Sequence, residues 1–341
     1  MPNQTTMAQI AQTVGVSKMT VSRALRGERH VKSALAAEIC RTAERLGYIP
    51  DPEVARLMTH LRQSRSVQSR QTLAFLWSEP SPDRTRTAWS RLLVAGATQR
   101  AAELGYQLES FEILPGGMTS ARLAIILEHR GIRGIVIAPL LSRSRGHLRL
   151  PWEKFSTVVI GLGHTSPALN RVHHHHFLGM MTALRQLRRA GYQRIGFCAS
   201  SVLDKRMFGA WSASFLIHHP LGATSAAELM HLPREVQRAS FLKWCEKARP
   251  DALLDSGANL FSWVQSLPET RRPNLATLSW NAEQPGIPGL DQRPEALGRA
   301  AIDQLSSQLH QNEQGIPSCA KTLMLEGIWR PSVIPPHQVG S

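Results

Sequence analysis

Cysteine is scarce and scattered: Cys40, Cys198, Cys245 and Cys319 are the four in 341 residues, with no C-x-x-C and no close pairing. That excludes a disulfide framework and suits reduced thiols. Long apolar runs are also missing. None reaches the length of a membrane span, and the amino terminus lacks a signal-peptide apolar region, so a soluble, cytoplasmic protein is expected. Acidic residues are in deficit, 25 Asp and Glu against 40 Lys and Arg, for a net charge of +15. The first 70 residues hold 11 of the basic and 5 of the acidic residues. Positive charge is therefore densest at the front, where a nucleic-acid phosphate would be met. The rest is basic too, so charge alone does not separate a nucleic-acid partner from a solvated surface. Catalytic signatures are lacking as well: there is no G-x-S-x-G, no H-E-x-x-H and no Walker glycine loop. Gly161-Leu162-Gly163 starts like a dinucleotide fingerprint but lacks the third glycine and the later acidic residue, and reads as a strand-end turn. No enzyme activity and no cofactor are expected.

What is present begins with the first fifty residues. Met7, Ile10, Ala11 and Val14 fall at helical spacing, which predicts a short amphipathic helix over about residues 6–13. Gly15 permits a tight turn, and Val16 can point inward. Ser17 is a good N-cap for a second helix that buries Val21, Ala24 and Leu25 and leaves Lys18, Met19, Ser22 and Arg23 outside. A third helix, capped by Ser33, has the stripe Leu35, Ile39, Ala43 and Leu46, with Gly47 as its stop. Two helices joined by so short a turn form a helix-turn-helix. Arginine can bond a guanine edge bidentately, Ser and Thr reach bases or phosphates, and Met can touch a thymine methyl.

Residues 7–50 closely resemble the DNA-binding headpiece of LacI (lactose-repressor) family regulators. The resemblance rests on Ile10-Ala11, Gly15-Val16-Ser17, Thr20-Val21-Ser22-Arg23-Ala24-Leu25 and Glu44-Arg45-Leu46-Gly47-Tyr48-Ile49-Pro50. It implies that Lys18, Met19 and Arg23 read bases while Ser17, Thr20 and Ser22 contact phosphates, with Arg26 and His30 as further backbone contacts. Residues 51–61 resemble the family's hinge helix through Val54-Ala55-Arg56, with one extra residue after Pro50. The apolar wedge for the minor groove is then Leu57 counted from Pro50, or Met58 counted from the triplet. Residues 62–71 carry one apolar side chain and read as a basic linker.

From residue 72 to 341, short apolar runs alternate with helical stretches. Leu73 to Trp77, Tyr106 to Ile113, Gly134 to Ala138 and Val158 to Ile160 read as strands, with helices between. A second series follows: strands at Arg194 to Ala199, Asp251 to Leu254 and Leu275 to Leu278, a last long helix at Glu295 to Gln311, and one last strand at Lys321 to Ile328. This order requires parallel sheets with right-handed crossovers. The fold class expected is therefore a three-helix headpiece with a hinge helix, followed by a two-lobed α/β domain. That domain resembles the periplasmic sugar-binding proteins to which LacI-type regulators are similar.

The resemblance implies a homodimer on double-stranded operator DNA, of repressor sense, answering a small effector between the lobes. Arg206 matches the family's strand-then-arginine anchor and is expected to meet a ligand hydroxyl or carboxylate. Trp280 and Asn281 stand where relatives carry Gly-Phe-Asp, and His173-His174-His175-His176 stands where an aspartate is usual. A cleft stripped of acidic groups argues against the usual sugar and leaves an anionic ligand, or none, open. The histidine run invites a metal reading, but adjacent residues face different ways and no Cys or carboxylate cluster joins them, so no metal site is expected. The alternative function is a metabolite-binding sensor with a vestigial headpiece.

Overall fold

The computed structural model describes residues 6–25, 32–48, 71–77, 87–113, 118–140, 148–256, 260–284 and 286–332. The hinge segment 51–61, the linker residues 62–70 and Arg26, His30, Leu57 and Met58 lie outside them.

Three helices form the amino-terminal domain: α1 (Met7–Val14), α2 (Lys18–Leu25) and α3 (Ser33–Arg45). The start of α1 is a capping box. Thr6 Oγ1 accepts from the Gln9 backbone N–H at 3.4 Å, and the Thr6 N–H donates to Gln9 Oε1 at 2.8 Å, so two orphan donors are satisfied reciprocally. Gly15 ends α1 at φ 74°, a left-handed position that favours glycine. Ile10, Val21 and Ile39, one from each helix, are fully buried together with Ala11, Ala24 and Ala43. Each of those three larger side chains contributes about 1.5–3 kcal/mol by leaving water. The expected Ser33 cap is not made: Ser33 is already helical, and Lys32 holds the cap position without a side-chain bond.

Twelve strands follow among the described residues: β1 (Thr72–Trp77), β2 (Gln107–Glu112), β3 (Gly134–Ile137), β4 (Ser156–Ile160), β5 (Asn170–His174), β6 (Ile195–Cys198), β7 (Met230–His231), β8 (Ala252–Asp255), β9 (Asn274–Thr277), β10 (Gly289–Asp291), β11 (Thr322–Leu325) and β12 (Ile328–Arg330). They make two sheets of six, in the orders β11-β5-β4-β3-β1-β2 and β12-β10-β9-β8-β6-β7. Every pairing is parallel except β12 with β10. The first sheet is covered on one face by α4 (Ala88–Glu103) and, on the other, by α5 (Ser120–His129). The second sheet packs α6 (His176–Arg189), α7 (Ser201–Arg206) and α8 (Ala210–His218) on one face, with α9 (Gly222–Glu228) at its edge. Helices α10 (Arg238–Ala248) and α11 (Phe261–Gln265) cover the other face. The last helix, α12 (Pro294–Gln311), returns to the first lobe and packs on α4. That contact is close: a Cβ on Gly96 or Gly298 would sit 2.1 Å from the backbone oxygen of Glu295 or Leu93.

The chain crosses between the lobes three times, after β5, after β10 and after β11. The expected single strand over residues 321–328 is in fact two. It breaks at Glu326-Gly327, and its halves join different sheets. Leu92 is 43% exposed, because Leu93 takes the buried side of α4. Among the described residues, no helix is long and apolar enough to cross a membrane.

Candidate functional site

Helix α2 is positioned by its own sequence. Ser17 Oγ accepts from the Thr20 N–H at 3.1 Å and lies 2.9 Å from Thr20 Oγ1. This serine cap fixes where the helix begins. Val21 and Ala24 anchor the buried face, which leaves Ser17, Lys18 and Arg23 exposed and Thr20 half-buried. Met19 and Ser22 belong to the helix, but their side chains are outside the described set. The structure thus brings Ser17, Lys18, Thr20 and Arg23 onto one short element, a cationic and hydroxylic surface with no carboxylate in the helix.

A second candidate site lies between the lobes. A cavity of about 440 Å³ opens against the β5–β11 edge of the first sheet. Its floor follows from strand periodicity. Arg171, His173 and His175 alternate along β5 and its exit, while Thr322 and Met324 pair in register with Arg171 and His173 on the neighbouring strand. Leu162 and Thr165 line it from the turn after β4; Phe177, Met207, Phe208 and Ala210 face it from the second lobe. Phe208 adopts φ 55°, an uncommon conformation for an aromatic residue, and is 69% exposed.

The polar groups are held in defined states. Arg171 is half-buried and donates from its guanidinium to the His164 carbonyl at 3.1 Å. Burial lowers its pKa from the ordinary value, and no carboxylate is paired with it among the described residues. His173 Nδ1 sits 2.7 Å from the His174 carbonyl. A carbonyl only accepts, so Nδ1 carries the proton and Nε2 keeps its lone pair. His175 is the reverse case: its Nδ1 accepts the Leu178 N–H at 3.3 Å, capping α6, so the neutral ring carries its proton on Nε2. Burial pushes the His173 pKa down, with its bond to the His174 carbonyl pulling the other way.

Of the remaining two histidines, His176 also lines the cavity, its ring stacked 6.1 Å from that of His173, while His174 does not. His174 and His176 are buried, their rings 5.2 Å apart edge to face, and His176 also meets Trp211 edge-on at 5.2 Å. Among the described residues no group of three or more His, Cys, Asp or Glu converges as a metal ion needs.

The expected effector residues are not gathered here. Arg206 ends α7 directly before Met207 and Phe208, close enough to His176 for its charge to disfavour protonation there. Trp280 and Asn281 follow the end of β9 and are not among the residues that line the cavity. The Trp280 ring lies 5.6 Å from the Arg330 guanidinium carbon, and Asn281 Oδ1 accepts from the Glu283 N–H at 3.0 Å. Arg171, His173 and His175 went unassigned in the sequence because the four-histidine run hides the strand it belongs to. Alternation from Arg171 onward was the signal available.

Comparison with known proteins agrees with this geometry. Residues 6–51 match the family model "Bacterial regulatory proteins, lacI family". The chain is 29% identical over 133 residues, 39% of its length, to the HTH-type transcriptional regulator Rv3575c of Mycobacterium tuberculosis (strain ATCC 25618 / H37Rv). It is 25% identical over 194 residues, 57% of its length, to the NTD biosynthesis operon regulator NtdR of Bacillus subtilis (strain 168). Those matches span 34% and 54% of the two relatives. Among solved structures, the transcriptional regulator CelR–cellobiose complex superposes with a TM-score of 0.54 at 19% identity, covering 96% of this chain and 98% of that one. The lac repressor dimer bound to operator and the anti-inducer ONPF gives a TM-score of 0.52 at 16% identity with the same coverage. At such identities the likeness is one of fold: a helix-turn-helix domain joined to a two-lobed α/β domain.

Proposed function

We propose that this chain, a lacI-family protein by the match of its amino-terminal domain, is a cytoplasmic, sequence-specific DNA-binding regulator of repressor sense. Working as a homodimer on a pseudo-palindromic operator, it has its affinity set by a small ligand held between the lobes. The carrying observation is the exposed face of α2, with Lys18 and Arg23 presented by a helix that Ser17 caps and Val21 and Ala24 anchor. A packed three-helix core that displays a carboxylate-free face suits entry into a major groove. Arg23 and Lys18, with Met19, are assigned to base edges; Ser17, Thr20 and Ser22 to phosphates; Arg26 and His30 to the flanking backbone; and Leu57 or Met58 to the minor groove. The three crossovers supply a hinge whose two arrangements a ligand can bias, provided it binds one better than the other.

The test is selection of bound duplexes from a random DNA pool by the full-length protein at near-physiological salt. An enriched site with two-fold symmetry supports the regulator and its dimer. Salt-sensitive binding with no enriched sequence overturns it in favour of a ligand sensor whose headpiece contributes only charge.

A further inference from the structure

We propose that the cavity against the β5–β11 edge binds a small organic carboxylate with an apolar body, its carboxylate seated on Arg171 beside His173. The inference names the chemistry of the effector. It rests on the regulator reading only for its consequence at DNA, not for binding itself.

The argument starts from an uncompensated charge. Arg171 is half-buried, bonded to a carbonyl and paired with no carboxylate among the described residues. A guanidinium removed from water without a counterion is costly, and an anion arriving from solution relieves that cost with a bidentate, charge-assisted contact. Among the described residues no Asp or Glu lines the cavity, so no carboxylate in its wall repels an anion or accepts the hydroxyl protons of a sugar. The two histidines extend the receptor. His175 presents a donor at Nε2, while His173 offers a lone pair that becomes a second donor on protonation. A bound carboxylate beside His173 therefore favours proton uptake.

The rest of the wall chooses between anions. Leu162, Phe177, Met207, Phe208 and Met324 are apolar, and a bare phosphate would leave them wet. A volume of about 440 Å³ equals that of about fifteen waters, room for a carboxylate carrying a ring or a short chain. Phe208, held exposed in its left-handed conformation, adds an aromatic side chain to the wall.

Isothermal titration of the full-length protein with benzoate, phenylacetate and hexanoate tests this, with benzyl alcohol, cellobiose and inorganic phosphate as comparators. At least one carboxylate is expected to bind at millimolar concentration or below, benzyl alcohol and cellobiose much more weakly. The binding heat should vary with the buffer's ionisation enthalpy, because protons are taken up. Arg171→Gln should weaken the carboxylate by about 10- to 100-fold while leaving the ligand-free melting temperature unchanged or raised. Phe208→Ala, on an exposed side chain, should weaken it without affecting the fold. The proposal is overturned if none of the three carboxylates binds folded protein, if phosphate binds and they do not, or if Arg171→Gln and Phe208→Ala both bind as tightly as the parent. DNA binding is scored separately with a selected duplex, so carboxylate binding without any selected site would overturn the regulator alone.

Discussion

Gly327 lies against the ring of His174: a Cβ on the glycine would stand 2.8 Å from His174 Cε1 and 2.9 Å from the Asp291 carbonyl oxygen. Each of these residues belongs to a different crossing between the lobes. His174 ends β5, Asp291 ends β10 and Gly327 separates β11 from β12. The His175 N–H also donates to the Leu325 carbonyl at 2.9 Å, tying the first crossing to the third. The three crossings are thus packed together, not three loose straps. Gly327→Ala should cost about 1–3 kcal/mol, since backbone and a buried ring must both give way. Urea unfolding followed by tryptophan fluorescence reads it; an unchanged midpoint would mean that the crossings part freely.

The same ring predicts an acid sensitivity. Both nitrogens of His174 are buried, and among the described residues neither has a partner within hydrogen-bond geometry; burial, the largest cause, lowers its pKa from 6.5 to about 4. The charges of His173 and His175 push the same way, while the Leu325 carbonyl and Asp291 oppose. His176, also buried, is likewise held well below 6.5, mainly by desolvation. Unfolded imidazoles take up protons near pH 6.5 and the folded ring of His174 does not until about 4, so the unfolded chain binds more protons between those values. The contribution of His174 is therefore full above about pH 6.5, falls as pH drops, and levels off below about 4. His174 alone accounts for about 3 kcal/mol of the loss. Chemical denaturation at pH 7.5 and 4.5 measures the slope, and His174→Leu should flatten it without loss of stability at neutral pH. An equal slope in the variant would move the effect to other groups.

The headpiece was legible in the sequence because its signals are local: a helical stripe at Ile10 and Ala11, a left-handed Gly15 and a capping Ser17 depend on near neighbours. The alternating α/β order was legible for the same reason. What stayed hidden depends on distant contacts. Residues 321–328 read as one strand, and only the sheet partners reveal that Leu325 pairs with His174 while Ile328 pairs with Asp291 in the other sheet. Likewise, Arg171, His173 and His175 share a face only because β5 continues the sheet beyond β4. Trp280 and Asn281 stand at a strand end, but their side chains engage Arg330 and Glu283 instead of the cavity.

Ser17 illustrates how a small local bond reaches function. Its Oγ satisfies the Thr20 N–H at the exposed start of α2. Ser17→Ala should lower stability by about 1 kcal/mol and fray the turn that carries Lys18. Binding should weaken on every DNA sequence alike, because the whole helix loses definition instead of one base contact. Ser17→Asp separates the roles: it restores the cap and the stability, yet places a negative charge where a phosphate is expected. Recovery of stability without recovery of DNA binding is the anticipated result, read by thermal melting and by fluorescence anisotropy on a selected duplex. Full recovery of both would remove Ser17 from the phosphate contacts.

Arg23 and Lys18 stand on the same exposed face, but their expected contributions differ in kind. Arg23 is assigned a bidentate contact to a guanine edge, so Arg23→Ala should cost about 1–3 kcal/mol and relax preference at one position in each half-site. Any share of Lys18 in neutralising a phosphate would instead appear as a binding loss spread across sequences, together with a shallower dependence on salt by about one counterion. Measuring affinity on the selected site, on single-base variants and at several salt concentrations separates the two effects for each residue. Uniform weakening by Arg23→Ala, with the sequence preference intact, would make Arg23 a backbone contact and shift base reading to Lys18 and Met19. A salt slope unchanged by Lys18→Ala, with preference lost at one position, would place Lys18 wholly on a base edge.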